Sequence, residues 1–263
     1  MVVWPTYPLE VWLLTGLAVI LIGISKAGFG SSVGVVATPL IAIVLPVTEA
    51  VALLLPLLLA GDLFTVRHYQ HNFDKPNLVL LVLSALVGVT LGSLFFNHFV
   101  DQEEVLKIGI GIISLAFVLY KVTQITLPKA LKPYQPNRII GAALGTFAGF
   151  TSTIAHVGGP PVIMYLLPQN LDRRKFVGTI AWLWLIINSL KLIPYGILGL
   201  LSLNNLLVVA VLLPLIYIGI RLGLLMIGIF SQRIFNLLIY VLLTITGIQL
   251  LIGRSLLSFL VVA

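Results

Sequence analysis

The stretch Thr151–Pro168, TSTIAHVGGPPVIMYLLP, gathers hydroxyls at Thr151, Ser152 and Thr153, an imidazole at His156, and the run Gly158-Gly159-Pro160-Pro161. Proline suits the first turn of a helix, where the amide it lacks would be unpaired anyway. The run therefore predicts a helix starting at Pro160 and ending near Pro168, about 12 Å long at 1.5 Å per residue. A helix N-terminus offers free amides and a partial positive charge, which is the chemistry of anion binding. Gly28, Gly30, Ser31, Ser32 and Gly34 lead to Thr38 and Pro39 in the same way. Pro39 then opens a second short helix that ends at Pro46.

Ionisable residues within apolar segments extend this chemistry, because such groups are functional candidates in a membrane. Lys26 stands just before the first broken motif, where it either pairs with an anion or reaches the interface. The histidine at 156 titrates near neutral pH in its unperturbed state and suits proton coupling. Asp62 could carry a proton or pair locally with Arg67, and Asn188 could hydrogen-bond a substrate. Lys26, Asp62 and His156 are thus the coupling candidates. Lys191 is expected to extend outward to the interface, and hydroxyls that bond back to their own helix are a duller alternative for the serines and threonines.

What positions these groups is a membrane. Of the 263 residues, 60% are hydrophobic and 9% charged, against roughly 25% charged in soluble domains, and the mean hydropathy is +1.16. Apolar segments fall near 9–27, 33–46, 49–66, 77–99 and 105–123, then near 137–155, 159–168, 174–194, 203–227 and 234–253. A spanning helix takes roughly 20 such residues. The expected fold is an all-α polytopic membrane protein with an N-terminal repeat over 1–125, a cytoplasmic linker over 126–136 and a C-terminal repeat over 137–263.

The halves echo each other. Gly28-Phe29 and Gly149-Phe150 precede Pro39 and Pro160-Pro161, Pro46 follows Pro39 as Pro168 follows Pro161, and Asp62 precedes Tyr69 as Asn188 precedes Tyr195. Lysines and arginines favour cytoplasmic loops, and an alternation of all ten segments puts the basic clusters on one side and the acidic loop Asp101, Glu103, Glu104 on the other. Five segments per half is odd, so the halves are expected to be inverted, each with a broken or half-length helix, the two meeting near the midplane. Gly88 and Gly92 read as a helix-packing pair.

Other classes fit poorly. The chain has no cysteine, which excludes disulfides and thiolate sites. It has no GxxxxGK[ST] run for ATP. An embedded protease would need paired aspartates, a serine with a base, or histidines at zinc-ligand spacing, so no enzyme, metal or cofactor is expected. A net charge of +7 spread over short loops reports orientation rather than nucleic-acid binding. The expected partners are a small anion and the bilayer, with a homodimer left open.

GFGSSVGVVATPL and AHVGGPPVIMYLL resemble the paired signature of the sulfite exporter TauE/SafE family, also called the toluene-sulfonate uptake permeases. NSLKLIPY after the second motif extends the resemblance over essentially the whole chain. It implies a multi-pass protein of the cytoplasmic membrane that moves sulfite, organosulfonates or other small sulfur-containing anions. Relatives often run three or four glycines together where this chain has Gly30-Ser31-Ser32. An anion channel and, further off, a membrane-embedded enzyme are the alternative readings.

Overall fold

A computed structural model describes residues 7–26, 34–126, 137–226 and 232–253. Gly28, Gly30, Ser31 and Ser32, and all but the first residue of the linker 126–136, lie outside the described residues.

Within apolar surroundings every backbone amide must be paired internally, which makes helix the default for these segments. Among the described residues the first half folds as α1 (Leu9–Ile24), α2 (Gly34–Ile41), α3 (Val47–Tyr69), α4 (Lys75–Phe99) and α5 (Glu103–Thr126). The second half gives α6 (Arg138–Ala155), α7 (Gly159–Leu166), α8 (Arg173–Ile197), α9 (Leu203–Met226) and α10 (Gln232–Ile252). In both halves a helix of 8 residues stands second, after helices of 16 and 18 residues. Five of the described helices are long and apolar enough to cross a membrane.

One expectation fails at α2. The helix opens at Gly34, not at Pro39, and ends at Ile41, so Pro39 lies inside it. Proline's fixed φ is compatible with helix, and its missing amide leaves a single carbonyl, that of Val35, without its helical partner. α7 does start as the sequence predicts, with Pro160 and Pro161 in its first turn.

Helix directions follow from the contacts. Gly141 faces Leu80, Gly145 faces Ser84 and Gly92 faces Thr153, so α4 and α6 run parallel. Gly16 faces Leu215 and Gly23 faces Gly219, so α1 and α9 also run parallel. α3 and α8 are antiparallel, with Asp62 on Asn188 and Gln70 on Trp182. α5 and α10 are antiparallel too, with Gly111 on Leu251 and Phe117 on Tyr240. Exchanging the halves turns the α4–α6 pairing into α9–α1, and leaves α3–α8 and α5–α10 as themselves.

The bundle has two chemically distinct ends. At one, Tyr7 donates to Glu49, and Glu103 accepts from the Val47 amide at 2.9 Å, neutralising the start of α3. Glu10, Asp101 and Glu104 are also there. At the other end stand Arg67, Lys75, Lys121, Arg138, Arg174, Lys175 and Arg221, with Asp74, Asn137 and Asp172 capping the helices that start among them. α6 leaves this basic end and α7 returns to it, where Gln169 accepts from Asn77 at 2.8 Å. α1 leaves the acidic end, and the chain after α2 comes back to it at Val47.

Glycine seams bring α4 against α6 and α1 against α9, as small residues do where no hydrophobic force acts between helices. A Cβ on Gly88 would meet the Thr146 carbonyl oxygen at 1.9 Å, and one on Gly23 the Ile216 oxygen at 2.4 Å. Gly109 faces open space. Gly88→Ala should therefore destabilise the protein by about 1–3 kcal/mol through forced separation of the helices, whereas Gly109→Ala should leave it unchanged or slightly more stable. Thermal unfolding of the two purified variants checks this.

Candidate anion site

α6 ends because His156 turns the chain back. Its φ is 55°, its amide bonds Ser152 O at 3.0 Å, and the Val157 amide reaches Thr151 O at 3.3 Å. These are the bonds of a helix-terminating motif whose left-handed residue is usually glycine. A side chain held in that conformation costs about 1–2 kcal/mol, so the imidazole is there for what it touches. Its Nε2 lies 3.0 Å from Val51 O on α3, and its Nδ1 lies 2.8 Å from Lys191 Nζ.

Lys191 departs from expectation. Instead of extending to the interface it is fully buried. Its Nζ contacts Ser152 O and Ser152 Oγ, each at 3.0 Å, besides His156. Four residues on, the Tyr195 hydroxyl donates to Thr153 O at 2.7 Å. The Tyr195 ring stacks on Phe96, and both rings are fully buried.

Asp62 also differs from its local reading. It pairs with Lys26, two residues past the end of α1, not with Arg67 five residues on, and its second oxygen accepts from Asn188 Nδ2 at 2.7 Å. Gly61 makes the ion pair possible, because a Cβ there would fall 2.5 Å from the Lys26 Cδ. Asp62 and Asn188, equivalent in the two halves of the sequence, thus touch each other.

A cavity of about 120 Å³ lies among these groups, with room for several waters or a small ion. Ile22 of α1 and the two residues that follow that helix, Ser25 and Lys26, line it, with Leu58, Asp62 and Thr65 of α3 and Ser152 of α6. His156 and Gly159, at the start of α7, face it with Val177, Ile180, Ala181, Trp184 and Asn188 of α8. These stretches belong to the parts of α1, α3 and α8 nearer the basic end. Toward the acidic end Lys191, Tyr195 and Phe96 close the bundle.

The residues singled out from the sequence divide accordingly. Lys26, Asp62, Ser152, His156, Gly159 and Asn188 share the cavity. Thr153 does not: its hydroxyl bonds back to Gly149 O at 2.9 Å, and that of Thr151 to Phe147 O at the same distance. Pro160 and Pro161 are buried behind Gly159. Gly158 underlies the wall, since a Cβ there would meet Ala148 O and the Trp184 ring, each at 2.5 Å. Its φ of −81° is open to any residue, so space alone requires the glycine.

No described residue of α2 lines the cavity. Its principal neighbours are α1, α10, α3 and α5, and Gly34, Thr38 and Pro39 are not among the residues around the cavity. The Thr38 hydroxyl is buried with no hydrogen-bond partner. Lys191, Ser25, Thr65 and Trp184 were not anticipated. For Lys191 the available signal was its place three residues after Asn188 and four before Tyr195, on one face of α8.

The TauE/SafE sulfite exporter description matches residues 15–250, which take in every residue around the cavity. No curated protein and no solved structure matches the chain. On the strength of that match over most of its length, the chain belongs to the TauE/SafE sulfite exporter family.

Proposed function

We propose that the protein is a secondary carrier of a small sulfur-containing anion, sulfite or an organosulfonate, across the cytoplasmic membrane. The observation that carries this reading is the cavity itself. It brings cationic, hydroxyl and amide groups together with the N-terminal end of a half-length helix, between elements of both halves. The Gly159 amide, the one donor among the first three residues of α7 since Pro160 and Pro161 have none, and the hydroxyl of Ser152 suit an oxyanion.

The halves, 1–125 and 137–263 about the linker, act as inverted repeats in this reading. Support comes from the hairpins: α1 starts at the acidic end, α6 at the basic end, and the contacts correspond under exchange. Since basic residues favour the cytoplasm, the basic end faces inward. The cavity then stands nearer the cytoplasm with its outer side closed, as one state of an alternating-access carrier would. Single cysteines at Gln102 and Gln169 should accordingly react with an impermeant reagent from opposite faces of the membrane. Reaction from one face would contradict the assignment.

In this reading Asp62 or His156 binds the coupled proton, with Lys26 as the cation that the carboxylate releases when protonated. Uptake of a panel of sulfur oxyanions into proteoliposomes, with and without a pH gradient, tests the function. Saturable uptake enhanced by the gradient is expected. Absence of uptake for every member of the panel would contradict the reading.

A further inference from the structure

Four ionisable groups face the cavity or stand directly behind its wall: Lys26 just past α1, Asp62 on α3, His156 between α6 and α7, and Lys191 on α8. Tyr195, also on α8, is a neutral donor to Thr153 O. Lys26 and Asp62 are an ion pair and cancel.

Lys191 and His156 do not cancel. The three acceptors around Lys191 Nζ, at 3.0, 3.0 and 2.8 Å, match the three N–H bonds of an ammonium. His156 then accepts at Nδ1 and donates from Nε2 to Val51 O. A neutral amine meets the same contacts only by giving its two hydrogens to Ser152 O and His156 Nδ1 and accepting the Ser152 hydroxyl hydrogen, which leaves Ser152 no donor for the cavity. An anion that takes the Ser152 hydrogen therefore selects the arrangement with one positive charge on the pair.

A buried charge without a partner is unfavourable, so the charged arrangement is complete only with one negative charge beside it. Ser152 is the point of contact. Its Oγ accepts from Lys191 and its side chain lines the cavity, so its own hydroxyl hydrogen, polarised by the ammonium, is free for a bound ion.

We propose that Lys191 gives the cavity a net charge of one, that the Ser152 hydroxyl presents this charge to the ligand, and that the site therefore selects singly charged oxyanions over dianions. Sulfonates and hydrogensulfite belong to the favoured class, and sulfate to the disfavoured one. A dianion would leave the buried cluster with an uncompensated negative charge. The inference rests on the carrier reading of the cavity and adds its charge selectivity.

Isothermal titration of the full-length purified protein tests it with three probes. Ethanesulfonate is a monoanion and sulfate a dianion throughout the neutral range, while sulfite passes from one form to the other. At each pH ethanesulfonate should bind at least about tenfold more tightly than sulfate. Sulfite affinity should fall more steeply than that of ethanesulfonate as pH rises and hydrogensulfite disappears. Ser152→Ala keeps the lysine and its carbonyl contact, and should weaken ethanesulfonate about tenfold while lowering the unfolding temperature by the loss of one hydrogen bond to the lysine. Sulfate binding as tightly as ethanesulfonate, or an unaltered Ser152→Ala variant, would overturn the selectivity while leaving a carrier site intact. Binding of none of the three would overturn the carrier reading together with it.

Discussion

Asp62→Asn should abolish transport and lower the stability of the protein by about 3 kcal/mol. Removing one member of a buried ion pair strands the other, a loss of roughly 3–5 kcal/mol, and the Lys26 side chain retains 15% exposure, which places the effect at the low end. The atoms make the case sharper. Asp62 accepts twice, from Lys26 and from Asn188. An asparagine has one acceptor and one donating group, so satisfying Lys26 sets its amide hydrogens against those of Asn188. Adding Lys26→Met should recover most of the stability, because the introduced amide can then accept from Asn188 and no charge is left alone. Transport should stay lost in the double variant. Unfolding temperatures and proteoliposome uptake for both variants check the pair of outcomes, and equal destabilisation in the double variant would show that the ion pair is not the cause.

Substitution of His156 separates its backbone role from its side-chain role. His156→Gly relieves the left-handed strain, a gain of about 1 kcal/mol if the residue served only to end α6. The imidazole, however, fills one of three acceptor positions around a buried lysine and bonds Val51 O. Losing hydrogen bonds to a charged buried group costs roughly 1.5–3 kcal/mol, so the glycine variant should be less stable despite its easier backbone. His156→Asn should stand between wild type and glycine, since asparagine tolerates the left-handed conformation and carries an acceptor. Accumulation driven by a pH gradient should be lost in His156→Gly, while exchange at equal pH persists at a lower rate. A glycine variant more stable than wild type, with its pH dependence intact, would leave His156 as a helix terminator.

Much of this architecture could be read from spacing. The duplicated prolines marked both short helices, because a missing amide has few tolerable positions in a membrane. The Gly158-Gly159-Pro160-Pro161 run located the start of α7 to within a residue. Pro39 misled, since proline tolerates a place inside a two-turn helix as well as at its start. The equivalence of Asp62 and Asn188 was visible along the chain, but their direct contact was not, because it depends on how α3 crosses α8. Lys191 was misjudged for a related reason: an apolar helix shows where a lysine sits along its length, not which neighbours receive it. Ser152, Lys191 and His156 come from three places in the sequence, and only the return of the chain at His156 brings them together. The serines and threonines illustrate the same limit, since adjacent hydroxyls at 151, 152 and 153 point in different directions around α6.

Counterflow tests the central claim most directly. Proteoliposomes loaded with unlabelled sulfite and diluted into a trace of labelled sulfite should accumulate label transiently above equilibrium, because a carrier returns only with its site filled or reset. The overshoot should survive Gly109→Ala, which faces open space, and vanish with Gly159→Val, which crowds the cavity at the start of α7. Label that merely equilibrates, at a rate linear in sulfite and indifferent to Gly159→Val, would contradict an alternating-access carrier with its anion site in this cavity.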